Sequence, residues 1–253
     1  MSILTVENFT LLITAFLLGG IVKGIIGTGL PTVALGIITA TIGLKEAMAI
    51  ILLPSLITNI GQGLLGGHLA VVFKRSWSFL LMTFFTVWVG ASLIPLVNIG
   101  LLSALLGTIL LIYSAVGLSS PHLPNPGRAE AWLSPLFGSV NGLLTGLTGS
   151  SIVPGVLYLQ SLGMSRDRLI QTMGLLFLVS TATLGLALNK NELLTGELLL
   201  LSAIAFVPAF IGMQVGIRIR NRISEALFRK LFFFFMLALG CYIIGRALYQ
   251  GVY

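Results

Sequence analysis

Charged side chains are scarce in this sequence. Only 8% of the 253 residues are charged, 57% are hydrophobic, and the mean hydropathy is +1.07. Soluble domains carry about 25% charged residues, so this composition excludes a soluble fold and leaves a lipid bilayer as the solvent. The loops between apolar stretches are short. The chain therefore has no segment from which a catalytic domain in water could be built.

Cysteine and histidine are also nearly missing. The single cysteine, Cys241, has no partner for an intrachain disulfide, and its place in a long apolar run indicates a packing residue. His68 and His122 fall in predicted loops, which argues against a metal site or a proton relay. An intramembrane serine protease using Ser150 or Ser151 would need a histidine base within reach. We therefore expect no metal, no cofactor and no enzymatic activity.

The basic residues do not predict a nucleic-acid partner. The formal net charge is +7, but Lys and Arg occur in short clusters at predicted helix ends, without interleaved aromatic residues. The positive-inside rule accounts better for such clusters. The N-terminus lacks the basic segment of a signal peptide, because Glu7 is the only charged residue before Lys23. We expect a retained first helix and a multi-pass protein of the bacterial cytoplasmic membrane, surrounded by lipid.

Eight long apolar stretches and two short ones make up most of the chain. A transmembrane helix needs about 20 residues. The short stretches, at 30–43 and 151–164, hold only about 14 residues each, which corresponds to about 21 Å of helix, and each follows a glycine-rich break. The predicted fold is an all-α integral membrane protein with about eight long transmembrane helices and two short half-helices.

The two breaks belong to an internal repeat. Three glycines of the first break return 122 residues later: Gly20, Gly24 and Gly27 match Gly142, Gly146 and Gly149. We predict a first membrane repeat at 1–120, a polar, proline-rich linker at 121–131 and a second repeat at 132–253. The regular spacing of these glycines also fits close packing of two helices, and both interpretations stay open.

Charges in corresponding loops predict that the two halves have opposite orientations. Lys74 and Arg75 lie in a loop of the first half whose counterpart has Lys190 offset by two glutamates. The next loop, at 95–100, is uncharged, whereas its counterpart at 218–230 is rich in Arg and Lys. Lys and Arg of short loops stay in the cytoplasm. The pattern therefore indicates an inverted repeat, which is typical of secondary transporters.

The glycine-rich breaks form the predicted substrate site. Irregular backbone at membrane depth is tolerated only where protein or a water-filled cavity satisfies its polar groups. Each break precedes a short helix, whose free N–H groups and partial positive charge attract anions. Ser and Thr hydroxyls of the second break add capping groups and donors. The candidate residues are Gly27, Thr28 and Gly29 at the first break, and Thr145, Thr148, Gly149, Ser150 and Ser151 at the second. The predicted partner is a small anionic substrate.

Four polar residues within apolar stretches complete the candidate site. Lys23 is the only clearly intramembrane charge, so we predict that it pairs with the anion. Its side chain could instead reach the membrane interface. Asn59, Gln62 and Asn141 could contact substrate oxygens, or they could join two helices by hydrogen bonds.

Three patterns in a fixed order carry a resemblance to a known family. They are Gly20-x3-Gly-x2-Gly-Thr-Gly, its echo from Gly142 to Pro154, and Pro208-x3-Gly212-x3-Gly216 before Arg218 and Arg220. Over nearly its whole length the chain resembles the TauE/SafE family of sulfite and organosulfonate exporters. The resemblance implies export of small sulfur-containing anions, such as sulfite, sulfoacetate or other organosulfonates, across the inner membrane.

The mechanism implied by these features is alternating access around a midplane site formed by two broken helices. The alternatives are a passive anion channel and a membrane subunit of a larger complex. A homodimer is one of the assemblies compatible with such a chain.

Overall fold

The protein is helical throughout the residues that the computed structural model describes, which are 6–119, 123–222 and 224–252. His122 and the start of the predicted linker lie outside these ranges. The α-helices are α1 (Val6–Ile26), α2 (Leu30–Thr41), α3 (Leu44–Ile50), α4 (Leu52–Leu64), α5 (Leu69–Leu93), α6 (Ile99–Ser119), α7 (Glu130–Thr148), α8 (Leu157–Ser161), α9 (Arg166–Lys190), α10 (Gly196–Ile219) and α11 (Glu225–Val252). Short 3-10 turns occupy Ile94–Leu96, Gly127–Ala129 and Arg220–Arg222, and a π-helical turn occupies Ile152–Val156.

The predicted all-α membrane fold is confirmed. By length and composition, α1, α5, α6, α9, α10 and α11 can each cross a membrane. α3 and α4 meet the same criteria only as a pair with a 43° bend, which corresponds to a broken span or a re-entrant loop. The remaining long element is α7, with 19 residues. Short apolar helices follow both breaks, at Leu30–Thr41 and at Ile152–Ser161.

The second short helix is less regular than the first. α2 begins at Leu30 with Pro31 in its first turn, as predicted. Its counterpart starts with a π-helical turn, contains the extended residue Val153, and becomes α-helical at Leu157. A residue that precedes proline is disfavoured in the helical conformation, and Val153 precedes Pro154. The second break therefore reaches further into the short helix than the sequence pattern indicated.

α1 and α2 form a hairpin. The chain turns at 27–29, where Gly29 has φ 107°, a left-handed conformation open to glycine. The backbone of Leu30 then lies beside α1, so that a Cβ on Gly19 would be 2.9 Å from the Leu30 carbonyl oxygen. α2 therefore begins part-way along α1 and runs back for about 18 Å towards the end at which α1 starts.

Contacts at helix ends define two faces of the protein. At one face, Arg75 near the start of α5 binds Glu130 at the start of α7, with N–O distances of 2.7 and 2.8 Å. Arg75 also donates to the carbonyl of Leu162, just after α8, at 2.9 Å. At the opposite face, Arg246 of α11 donates to the carbonyl of Ala40 at the end of α2. The two short helices therefore end at opposite faces.

Most cations lie at the first of these faces, which we call the basic face. Because successive long helices run in alternate directions, it carries Lys74, Arg75, Arg128, Arg166, Arg168, Arg218, Arg220, Arg222, Arg229 and Lys230. The opposite face carries Lys45, Lys190 and Arg246. This asymmetry agrees with the charge pattern that predicted inverted halves.

The two predicted halves pack reciprocally. α1 of the first half packs on α10 of the second, and α7 of the second packs on α5 of the first. Both crossings occur at glycines: a Cβ on Gly24 would lie 2.8 Å from Gly216 Cα, and one on Gly146 would lie 2.7 Å from Gly90 Cα. The regularly spaced glycines therefore serve close helix packing, which was one of the two interpretations of the sequence.

The outer surface of the bundle is largely apolar. Leu231, Phe234 and Phe235 of α11 are exposed, and Cys241 is exposed on the same helix. The prediction that Cys241 packs inside is therefore wrong. An apolar run does not distinguish protein-facing from lipid-facing sides of a helix, because lipid tails are as apolar as the protein interior.

Candidate functional site

The first turn of α2 and the second break meet at one small cavity inside the bundle, which we call the central cavity. Its volume is about 10 Å³, which is at the threshold for holding a single water molecule. It is lined by Pro31, Thr32, Leu35, Gly149, Ser150, Ser151, Ile152, Phe177 and Thr181. The first turn of α2 thus lies directly against the second break, as the idea of facing helix ends requires.

The N-terminus of α2, whose Pro31 and Thr32 line this cavity, has backbone donors that no side chain caps. Its first backbone hydrogen bond runs from Val33 N to Gly29 O, at 2.9 Å. The N–H groups of Leu30 and Thr32 therefore precede the hydrogen-bond ladder of the helix. No side chain caps α2, and Thr32 is buried. The partial positive charge of the helix end is thus uncompensated by a protein cap.

The second break is held by a network of hydroxyl groups. Thr145 Oγ1 lies 2.9 Å from Ser151 Oγ and donates to the carbonyl of Asn141 at 2.7 Å. Thr148 Oγ1 accepts from Ser150 N at 3.3 Å. Ser151 precedes the short helix without capping it by a side-chain hydrogen bond, so the predicted capping role is not seen. The hydroxyl of Ser150, which is 3% exposed, has no hydrogen-bond partner.

Asn141 fastens the second break to α7. Its Oδ1 accepts a hydrogen bond from Gly155 N at 3.1 Å, and its side chain is fully buried. Its Nδ2 has no partner. Gly149 ends α7 with φ 76°, and a Cβ there would lie 2.9 Å from Met48 Cγ. The site region thus contains two buried groups, Ser150 Oγ and Asn141 Nδ2, with unused donor capacity, although such groups are normally paired.

Lys23 forms a second polar cluster with α4. Its side chain is 5% exposed, and Nζ donates to Thr58 Oγ1 at 3.2 Å and to Asn59 Oδ1. The amine therefore turns into the bundle, not towards its surface. In the described parts of the chain, the one salt bridge joins Arg75 to Glu130, so Lys23 has no carboxylate partner there. Asn59 Nδ2 is buried without a partner.

Other predicted residues lie apart from the central cavity. Gln62 Nε2 donates to the carbonyl of Ile170 at 2.9 Å and so joins α4 to α9, which was the alternative reading of that residue. Gly27 also lies beside Ile170, and Gly29 forms the hairpin turn. Thr28 lines a different cavity, at the basic face.

Several lining residues were missed by the sequence interpretation. Thr32, Phe177 and Thr181 line the central cavity. The sequence contained one usable signal, since Thr32 and Thr181 are polar residues within apolar stretches.

No serine–histidine pair is present among the described residues. His68 lies between α4 and α5, where its backbone N–H donates to Gln171 Oε1 at 2.8 Å. Ser151 bonds to Thr145 and Ser150 Oγ has no partner. The geometry of these residues offers no base for a serine nucleophile.

The long apolar helices define the class of protein, which is a multi-pass membrane protein. The family model for the sulfite exporter TauE/SafE matches residues 11–243, and the chain belongs to this family. No curated protein and no solved structure matches the chain significantly. The resemblance noted in the sequence is therefore confirmed.

Proposed function

We propose that this protein exports small sulfur-containing anions, of the sulfite, sulfoacetate or organosulfonate type, by alternating access around the central cavity. The supporting observation is that two broken helices meet there with unused hydrogen-bond donors. A sulfonate or sulfite group presents three acceptor oxygens. Thr32 and Ser150 line the cavity, and Thr32 N–H and Ser150 Oγ–H are donors of the kind that such a group requires. Asn141 Nδ2–H is a third donor, on a residue that bonds to Gly155 and does not line the closed cavity. No enzymatic step is part of this proposal.

The electrostatic character of the cavity favours an anion. Its nine lining residues include no Asp or Glu. The end of α2 contributes about half a positive charge, in surroundings of low dielectric constant where that charge acts strongly. Lys23 adds a buried amine in the first half, and its bonds to Thr58 and Asn59 hold it by neutral groups. We assign Lys23 to anion attraction, with Asn59 as its positioning residue.

The closed state of the cavity supports alternating access over a passive channel. A volume of about 10 Å³ is too small for a sulfonate, so an anion enters only if the surrounding helices separate. The reciprocal packing of α1 on α10 and of α7 on α5 supports an inverted repeat with halves near 1–120 and 132–253. Two such halves can rock against each other and expose the same site to either face in turn.

The orientation follows from charge. The basic face lies in the cytoplasm if the positive-inside rule applies to these short loops. A membrane potential that is negative inside then favours movement of anions outwards. We therefore assign the basic face to substrate entry and the opposite face to release.

Uptake by proteoliposomes tests this proposal. Purified protein is reconstituted, and entry of labelled sulfite, sulfoacetate and taurine is measured for the unchanged chain, Lys23→Ala and Ser150→Ala. Ser139→Ala is the matched control, because Ser139 lies on α7 and bonds within its own helix, to Pro135 O at 2.8 Å. We expect the unchanged chain to show saturable uptake of at least one anion. Lys23→Ala and Ser150→Ala should each reduce that uptake roughly tenfold, because each removes a hydrogen bond to the charged anion.

Counterflow separates a carrier from a channel. Vesicles preloaded with unlabelled substrate should accumulate labelled substrate transiently if the site alternates between faces. Uptake of none of the three anions, or uptake that is unaffected by both site substitutions, would refute the proposed site. Uptake that rises linearly with concentration and shows no counterflow would identify a channel.

A further inference from the structure

A second cavity opens at the basic face, beside the first break. Its volume is about 160 Å³, much larger than that of the central cavity. Its polar lining residues are Thr28, Tyr113, Gln160, Arg166 and Arg229. Gln160, Arg166 and Arg229 are exposed, whereas Tyr113 is 6% exposed. The cations therefore stand at the mouth, and the tyrosine lies at the floor.

One face of α9 connects this cavity with the central cavity. Ile170 and Met173 line the cavity at the basic face, and Phe177 and Thr181 line the central one. These four residues are spaced by three or four positions, so they share one side of the helix. On the first break, Thr28 lines the outer cavity and Pro31 the central cavity. The two cavities are therefore consecutive, and the buried side chains of Met173 and Phe177 lie between their polar parts.

We propose that the cavity at the basic face, the vestibule, is a docking site for sulfonate anions before they reach the central cavity. This inference rests on the proposed function and adds a site to it. Arg229 supplies the charge: its guanidinium can pair with two sulfonate oxygens at once. Thr28 and Gln160 supply neutral polar contacts, and Met173 with Phe177 closes the inner end until the helices move.

Cysteine labelling tests the vestibule without requiring transport. The chain has one cysteine, Cys241, so Cys241→Ser with Leu169→Cys places a single thiol in the vestibule without removing a proposed contact to the anion. Its reaction rate is measured in detergent with a negatively charged sulfonatoethyl methanethiosulfonate and with a positively charged trimethylammonium analogue. Gln160→Cys, in the same cavity, is the second reporter if the first variant does not fold.

Arg229→Gln should lower the ratio of the anionic to the cationic rate by roughly fivefold or more, the effect of one charge about 4 Å away in water. The matched control is Lys230→Gln, which removes the same charge from the adjacent position of α11 without touching the vestibule. Its ratio should change less than twofold. Equal changes in both variants would overturn the proposal, since they would reflect only the charge of the face.

Protection by ethanesulfonate distinguishes binding from electrostatic steering. Excess ethanesulfonate should slow labelling by the cationic reagent in the chain that retains Arg229 and have no effect after Arg229→Gln. Absence of protection in the reporter chain that retains Arg229 would overturn the docking site. If ethanesulfonate protects the thiol but no sulfur anion is taken up by proteoliposomes, the proposed function alone is refuted. If uptake occurs and is insensitive to Arg229→Gln, and ethanesulfonate gives no protection, the vestibule alone is refuted.

Discussion

Replacing Gly24 or Gly146 by alanine should force apart the helices that join the two halves. A Cβ on Gly24 would lie 2.3 Å from Met213 O, and one on Gly146 would lie 2.4 Å from Val87 O. Both distances fall at least 0.6 Å short of the 3.0 Å below which Cβ contacts are essentially not seen. The obstructing atoms belong to backbone carbonyls, so no rotamer change can relieve the overlap. Such overpacking costs about 1–3 kcal/mol.

Thermal stability in detergent measures this effect. Purified variants are heated, and the fraction that still elutes as a monodisperse species is followed by size-exclusion chromatography. Gly24→Ala and Gly146→Ala should lower the midpoint by roughly 2–12 °C. The matched control is Gly245→Ala in α11, because a Cβ there meets nothing within 4 Å and alanine favours the helix by up to about 1 kcal/mol. Midpoints of Gly24→Ala and Gly146→Ala that equal the control's would refute the close crossing of the halves.

Two further predictions concern the second break and the basic face. Asn141→Ala leaves the Gly155 N–H without its acceptor, which should cost roughly 1–3 kcal/mol and lower the same thermal midpoint more than Ser139→Ala does. A double-mutant cycle of Arg75→Gln and Glu130→Gln, measured by the same assay in low salt, should give a coupling of about 0.5–1 kcal/mol, since the Arg75 side chain is 37% exposed. Strictly additive losses would show that the pair does not stabilise the fold.

Local chemistry explains why the breaks could be located from the sequence. Gly29 and Gly149 occupy left-handed conformations, and Pro31 stands in the first turn of α2, so each signal lies within a few residues of the feature that it predicts. Contacts between distant segments carried no comparable signal. Phe177 of α9 lines the central cavity with the first turn of α2, and Gln62 of α4 bonds to α9. In both cases the two helices are more than 100 residues apart in sequence, so no local pattern records the contact.

The sequence interpretation of the site was accordingly uneven. Ser150, Ser151 and Gly149 line the cavity as a local motif. Lys23 could be recognised as an unusual buried charge, but its partners Thr58 and Asn59 depend on how α4 crosses α1. The vestibule was not predicted, because it is assembled from five helices whose residues at its rim look like ordinary helix-end cations.

The position of Lys23 has a consequence for the energetics of a transport cycle. If the halves were identical, the conformations open to each face would be equal in free energy and equally populated. Lys23 corresponds to Thr145 under the 122-residue spacing, yet it bonds to α4 while Thr145 bonds to its own break. Separating α1 from α4 breaks bonds that have no equivalent in the other half. If the protein works by alternating access, as proposed, this difference in side chains contributes a bias of the empty protein towards one resting conformation, and an anion that competed for the Lys23 amine would reduce that bias.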